Sequence, residues 1–210
     1  MYIPAHFRAT DLAWLDWLVA RDAFGTLISL VDGAPFATHL PVLYQRDGNQ
    51  VILTGHWAKP NPQWNAIEEQ RVLLIFHGPH TYISPRWYVE PKLNVPTWNY
   101  ATAHIYGRAR VFHEPERLEK VVSALAEKYE SGANTPWRLA ESESATRRLS
   151  GIVGFDLVVD EIQLKFKLNQ NHPEANVKGV IAALPVGAAA GSIEIAKLMQ
   201  DALEGKSRPQ

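Results

Sequence analysis

The chain contains no cysteine, so disulfides, thiolate zinc sites, iron–sulfur clusters and cysteine nucleophiles are excluded. It has no excess of either charge: 21 basic and 22 acidic residues leave a formal net charge of −1. A protein whose main task is gripping DNA carries a basic excess or stripe, and none is present overall. No apolar run reaches membrane-spanning length. The first twenty residues place Arg8, Asp11 and Asp16 among the apolar ones, so a secretory signal core is not expected. The expectation is a soluble cytoplasmic protein with no membrane partner. Nucleotide and hydrolase signatures are also lacking: there is no P-loop, no GxGxxG and no GxSxG elbow. Eight histidines are present, but His39, His56 and His104 stand alone, and His77 and His80 straddle Gly78-Pro79. No HxH or HxxxH pair with nearby carboxylates arises, so no metal site is expected.

What the chain does have is ordinary globular content. Its 210 residues are 46% hydrophobic, enough for one domain or one domain with a small appendage. Asp11 or Thr10 caps a predicted helix, DLAWLDWLVAR, whose two tryptophans suit docking on a sheet. Phe24–Val31 reads as a strand, Asp32-Gly33 as a hairpin turn, and residues 35–45 as the return strand with Pro41 at an edge or bulge. Residues 50–55 form the next strand, 56–61 a connecting loop, and 62–69 a short helix with Asn61 as its cap. Strands follow at 71–77 and 80–83. Thr97–Phe112 alternates as one long strand in which Gly107 suggests a bulge. Helices are expected over 115–130, 173–184 and Ser192–Leu203, the last capped by Ser192, with a long strand over 151–168 and a polar tail over 204–210. The fold class is mainly β with helices (α+β): an antiparallel barrel with helices packed outside. The barrel domain is expected over residues 1–184, with a C-terminal helix and tail over 185–210.

Three stretches could carry chemistry. The densest aromatic run lies between Gly78 and Gly107, where Tyr82, Trp87, Tyr88, Trp98, Tyr100 and Tyr106 are interleaved with Pro85, Pro91 and Pro96. Prolines fix φ and remove donors, so this is a rigid connection between strands. It is either an aromatic plug or a pocket wall for a flat ligand. In HWAKPNPQW (residues 56–64), Lys59 precedes a capped helix start and could form an anion site with its free amides; a solvated loop lysine is the bland alternative. Lys165 and Lys167 alternate with Leu164, Phe166 and Leu168, so both face one side, either solvent or a second cationic wall near a ligand.

These stretches, together with MYIP…F at the start, THLP (38–41), GPHTYISPRWY (78–88), VPTWNY (95–100), IVGF (152–155) and KFKLNQN (165–171), resemble the successive motifs of the FMN-binding negative transcriptional regulator family, the PaiB-like group. The likeness runs from residue 1 to about 184. Two positions depart from the pattern: Asn169 where serine is usual, and Trp57 where methionine is usual. The family is similar to the FMN-binding split β-barrel proteins, which include pyridoxamine phosphate oxidases and flavin reductases. The resemblance implies a homodimer holding FMN in a groove between subunits. It makes Lys59 the phosphate ligand, with His56, Ala58 and Asn61 at the same junction. Thr38, His39, Leu40 and Pro41 would run along the flavin ring. Tyr82, Ser84, Trp87, Trp98 and Asn99 would meet the ring edge or the partner subunit, with Lys165, Lys167 and Gln170 completing the set.

Three functions follow as expectations. The first is an FMN-binding regulator acting on DNA directly or through a regulatory protein. The second is a flavin-dependent oxidoreductase of the split-barrel class, and the third a haem-handling split-barrel protein. The last two helices are joined by PVGAAAG, too loose for a helix-turn-helix, so direct DNA reading has the least support. No catalytic acid–base pair stands out, so an enzyme assignment would rest on fold analogy.

Overall fold

The computed structural model describes residues 1–68, 70–187 and 190–205. Eight strands join one hydrogen-bonded sheet: β1 Arg8–Ala9, β2 Phe24–Val31, β3 Ala34–Pro41, β4 Leu43–Asp47, β5 Gln50–Ala58, β6 Arg71–Ile83, β7 Thr97–Phe112 and β8 Ile152–Lys167. Their order is β3-β2-β6-β7-β8-β5-β4, with β1 added to β8. The pairs β1–β8, β2–β3, β4–β5 and β5–β8 are antiparallel. The helices are α1 Ala13–Arg21, α2 Gln63–Ala66, α3 Pro115–Glu130, α4 Glu143–Arg148, α5 Glu174–Ala183 and α6 Ser192–Leu203, with short 3-10 turns between several of them.

The chain divides into two compact units, and β6, β7 and β8 each continue from one into the other. One unit comprises Ala23–Ile75 and Ile105–Ile162. Its β2–β3 hairpin closes through Asp32 (φ 52°) and Gly33 (φ 79°), the two positive φ values of a type I′ turn. Period-two burial puts Val51, Leu53 and Trp57 of β5 inside, and the Trp57 ring lies 4.4 Å from Phe155 of β8. A second apolar cluster joins Leu118, Val121 and Leu125 of α3 to Phe112, with Leu43 and Ile152 against it. Gly107 stands where β8 comes closest: a Cβ there would lie 2.2 Å from the Val158 carbonyl oxygen.

The other unit comprises Met1–Asp22, Phe76–His104 and Gln163–Gln210. Here α1 buries Leu15, Leu18 and Val19, and the Trp14 ring meets Phe166 of β8 at 4.4 Å. Gly78 on β6 has Leu18 and Ala101 where a side chain would be. Helices α5 and α6 bury Val177, Val180, Ile195, Leu198 and Met199.

Several boundaries differ from the sequence reading, each for a local reason. The return strand over 35–45 is two strands. Pro41 has no N–H, Val42 donates its own to Ala23 O at 3.0 Å, and the chain passes from pairing with β2 to pairing with β5. Residues 56–58 are not loop: β5 runs on to Ala58, which pairs with Ile152. The helix over 62–69 is a single turn, and residue 69 lies outside the described residues. Ser192 is the first residue of α6 and not its cap. Gly191 (φ 81°) precedes it, and the buried Ser192 hydroxyl lies 3.2 Å from that of Thr81. Of the polar tail, residues 206–210 lie outside the described residues, as do 188 and 189 of the PVGAAAG linker.

Candidate functional site

The residues singled out in the sequence fall into two groups, one in each unit.

In the unit of residues 23–75 and 105–162, the group is organised by the start of α2. The Asn61 carboxamide donates to Thr38 Oγ1 at 2.9 Å and accepts from the Gln63 backbone at 2.9 Å. Asn61 thus caps the helical turn and ties the end of β3 to it. Gln63 is fully buried. Its Oε1 accepts from the Trp57 indole at 3.0 Å, and its Nε2 is shared between Leu27 O, Ser29 Oγ and Phe36 O at 3.0 to 3.2 Å. Gln63 is therefore the internal post that holds β2, β3 and β5 in place. Its only sequence signal was its place inside HWAKPNPQW. Leu40 is buried, Pro41 ends β3, and His39 Nδ1 lies 3.0 Å from Thr26 Oγ1 across the hairpin.

Lys59 is pinned by its backbone. Its N–H donates to Gly151 O at 2.8 Å, and its carbonyl accepts from the Trp64 indole at 2.8 Å. The side chain is exposed and has no ion-pair partner among the described residues. It lines a cleft of about 420 Å³ that also contains His113, Thr146, Arg147 and Ser150, together with Glu116 and Glu119. These residues lie 54 to 91 positions downstream of Lys59, and nothing in their local sequence joins them to it. A helix of one turn contributes no macrodipole worth invoking, and Asn61 already takes up the Gln63 amide. Charge at this cleft therefore comes from side chains: Lys59 and Arg147 against Glu116 and Glu119, with Arg147 also 3.6 Å from Glu143; the hydroxyls of Thr146 and Ser150 already donate to Ser142 O and Arg147 O. Ala58, next in line on β5, is exposed. His56 is half-buried, its buried Nδ1 has no hydrogen-bond partner, and burial pushes its pKa below the ordinary histidine value.

In the unit of residues 1–22, 76–104 and 163–205, the aromatic stretch is mostly strand. Only residues 84–96 connect β6 to β7, through two 3-10 turns. It is both plug and wall. Tyr88 is buried: its hydroxyl accepts from Asn169 Nδ2 at 3.0 Å, and its ring stacks on His172 at 4.9 Å. Trp98 is 52% exposed and Tyr82 44% exposed, their rings 6.1 Å apart and edge to face. The Ser84 hydroxyl is buried and accepts from Arg86 N at 3.3 Å, closing a 3-10 turn. Trp87 is half-buried, its carbonyl facing Gly179 of α5. Asn99 is fully buried with its amide on Met199 Sδ at 3.3 Å.

The lysines of β8 are not on an open solvent face: Lys165 is buried and Lys167 half-buried. Lys165 is 8% exposed and donates to Tyr2 O at 3.1 Å, while the Lys167 ammonium meets Thr97 Oγ1. Burial, and next the charge of Lys165, lower the pKa of Lys167. Gln170 is exposed but bonded locally, accepting from Leu168 N and donating to Phe166 O. Asn169, at φ 64°, occupies the left-handed region that asparagine tolerates. An open pocket of about 400 Å³ on the same unit is lined by His77, His80, Trp98, Tyr100 and Thr102. Among the described residues no group of three or more His, Asp or Glu is placed to hold a metal ion, and no helix is long and apolar enough to cross a membrane.

The sequence matches the family model described as "Putative FMN-binding domain" over residues 1–161. It is 38% identical over 207 residues to the protease synthase and sporulation protein PAI 2 of Bacillus subtilis (strain 168), an alignment covering 97% of this chain and 99% of that protein. The fold is similar to that of an FAD and heme binding protein from Mycobacterium smegmatis (TM-score 0.58, 20% identity, 88% of this chain and 82% of that one). It is also similar to the flavocytochrome Anf3 from Azotobacter vinelandii (TM-score 0.55, 15% identity, 86% and 76%). The architecture is a split barrel, an antiparallel sheet with helices.

Proposed function

We propose that this chain, which belongs to the family described as "Putative FMN-binding domain", binds FMN and serves as a regulator of the PaiB-like type. The observation that carries the reading is the setting of Lys59. Its backbone is clamped on both sides while its ammonium, with no carboxylate partner among the described residues, addresses a cleft that adds Arg147, Thr146 and Ser150. Two cations on one cleft are a donor set for a phosphate monoester. Salt screens the attraction between these cations and a phosphate, so FMN affinity falls with ionic strength. Thr38 and Asn61, fixed to each other, support the same junction. When bound, FMN would supply a redox-active ring.

The working unit in this reading is a homodimer in the cytoplasm. On β2, Phe24 and Leu30 are 52% and 49% exposed and project from the same side of the strand, an apolar pair of the kind that subunit contacts cover. Sedimentation reads the dimer directly. A salt-titrated DNA mobility shift tests whether the regulator meets DNA itself or acts through a protein.

The test of the phosphate role is a comparison of FMN with riboflavin on Lys59→Ala. FMN affinity should fall by tenfold or more, a loss of about 1.4 kcal/mol, with riboflavin changed by less than about twofold. Equal losses for the two ligands remove Lys59 from the phosphate.

A further inference from the structure

We propose that Lys165 and Lys167 form a second anion site, separate from the cleft at Lys59 and suited to a flat aromatic carboxylate. The inference goes beyond FMN binding and does not depend on it.

Both lysines project from one face of β8. An ammonium as enclosed as that of Lys165 ordinarily has a carboxylate partner. Lys165 instead donates to one carbonyl, Tyr2 O at 3.1 Å, and lies 5.1 Å from the ring centroid of Tyr100 and 5.7 Å from that of Tyr2. Lys167 meets Thr97 Oγ1 and lies 5.9 Å from the ring centroid of Phe7. Neither has an ion pair with a carboxylate among the described residues. Burial, and next the charge of Lys165, lower the pKa of Lys167; burial, and next the charge of Lys167, lower that of His172. Ring faces and a carbonyl offset part of the desolvation, but no carboxylate among the described residues pairs with either lysine.

The anion would come from a ligand, and the neighbouring surface says what kind. Tyr100, whose ring lies under the Lys165 ammonium, also lines the open pocket with Trp98, His77, His80 and Thr102. One ring is thus shared between the cation and an aromatic-walled recess of about 400 Å³. That is room for a bicyclic ring stacked on aromatic faces, within the size of small-molecule pockets. A carboxylate at the edge of such a ligand would meet Lys165 and Lys167, each with donors to spare.

The probe is 2-naphthoate, with neutral 2-naphthamide as its control, titrated into the full chain by calorimetry with and without saturating FMN. Naphthoate should bind with a Kd near or below about 1 mM. Naphthamide should bind at least tenfold more weakly, and Lys165→Met and Lys167→Gln should each weaken naphthoate at least tenfold. Lys59→Ala should leave naphthoate unchanged while weakening FMN, which separates failure of this proposal from failure of the FMN reading. If Lys165→Met does not fold, as judged by its melting curve, the half-buried Lys167→Gln decides. The proposal is overturned by absence of naphthoate binding, by equal binding of the amide, by lysine variants with wild-type affinity, or by displacement of naphthoate by FMN.

Discussion

The Asn61 carboxamide donates to the Thr38 hydroxyl at 2.9 Å and accepts from the Gln63 amide at the same distance. Thr38 and Asn61 are 23 positions apart, and their bond makes THLP and HWAKPNPQW one structural element. Replacing Asn61 with alanine removes both bonds and should cost about 1–2 kcal/mol. In a chain of this size that is a fall in Tm of roughly 2–8 °C. Thr38→Val should be non-additive with it by about 0.5 kcal/mol or more. Additive losses in a double-mutant cycle by urea denaturation would mean that the two side chains do not act together.

Gly179 reverses an ordinary rule. Glycine to alanine within a helix normally stabilises by up to about 1 kcal/mol. At Gly179 in α5 an added Cβ would lie 2.3 Å from the Trp87 carbonyl oxygen, which is backbone and cannot rotate away. Gly179→Ala should therefore lower the melting temperature. A rise would show that α5 and the 3-10 turn at Pro85–Trp87 are not held together as described.

His56 sets a pH dependence. Burial holds its folded pKa below the unfolded value of 6.5, so the unfolded chain binds the proton more readily. The stabilisation from keeping His56 neutral is complete above that unfolded value. It is lost as pH falls from there to the folded pKa, at no more than about 1.4 kcal/mol per pH unit. His104 and His172 are shifted in the same direction, both chiefly by burial, so they share the slope. Exposed carboxylates such as Asp160 and Glu174 are shifted downward from ordinary carboxylate values and act at lower pH. Urea midpoints of the flavin-free protein should fall between pH 7.5 and 5.5, and His56→Gln should flatten part of that fall. An unchanged slope would contradict the assignment.

Strands β2 and β7 and helix α6 were legible to the residue because hairpin glycine, alternation and helical spacing are local signals. The continuation of β5 through Trp57 was also legible in the alternation Val51, Leu53, Gly55, Trp57, but the proline-rich stretch after it suggested a loop. Pro41 was read as an edge or bulge, when it marks a change of pairing partner that depends on where β5 lies. At the candidate site, Gly151, which accepts from the Lys59 backbone, and Arg147 and Ser150, which line the same cleft, lie far along the chain, and no local pattern announces them. The same holds for Lys165: period two predicted its face but not its burial, because the cover comes from Tyr2 at the other end of the sequence.

The measurement that bears most directly on the account is an FMN titration of the purified chain, followed by flavin fluorescence and by thermal melting. FMN at tens of micromolar should quench or shift its emission to a saturating end point of one flavin per chain. At a hundredfold excess over Kd it should add about 2.7 kcal/mol of stability, a rise in Tm of roughly 5–11 °C for a protein of this size. Unchanged flavin emission together with an unchanged melting temperature would contradict FMN binding and, with it, the function proposed for this fold.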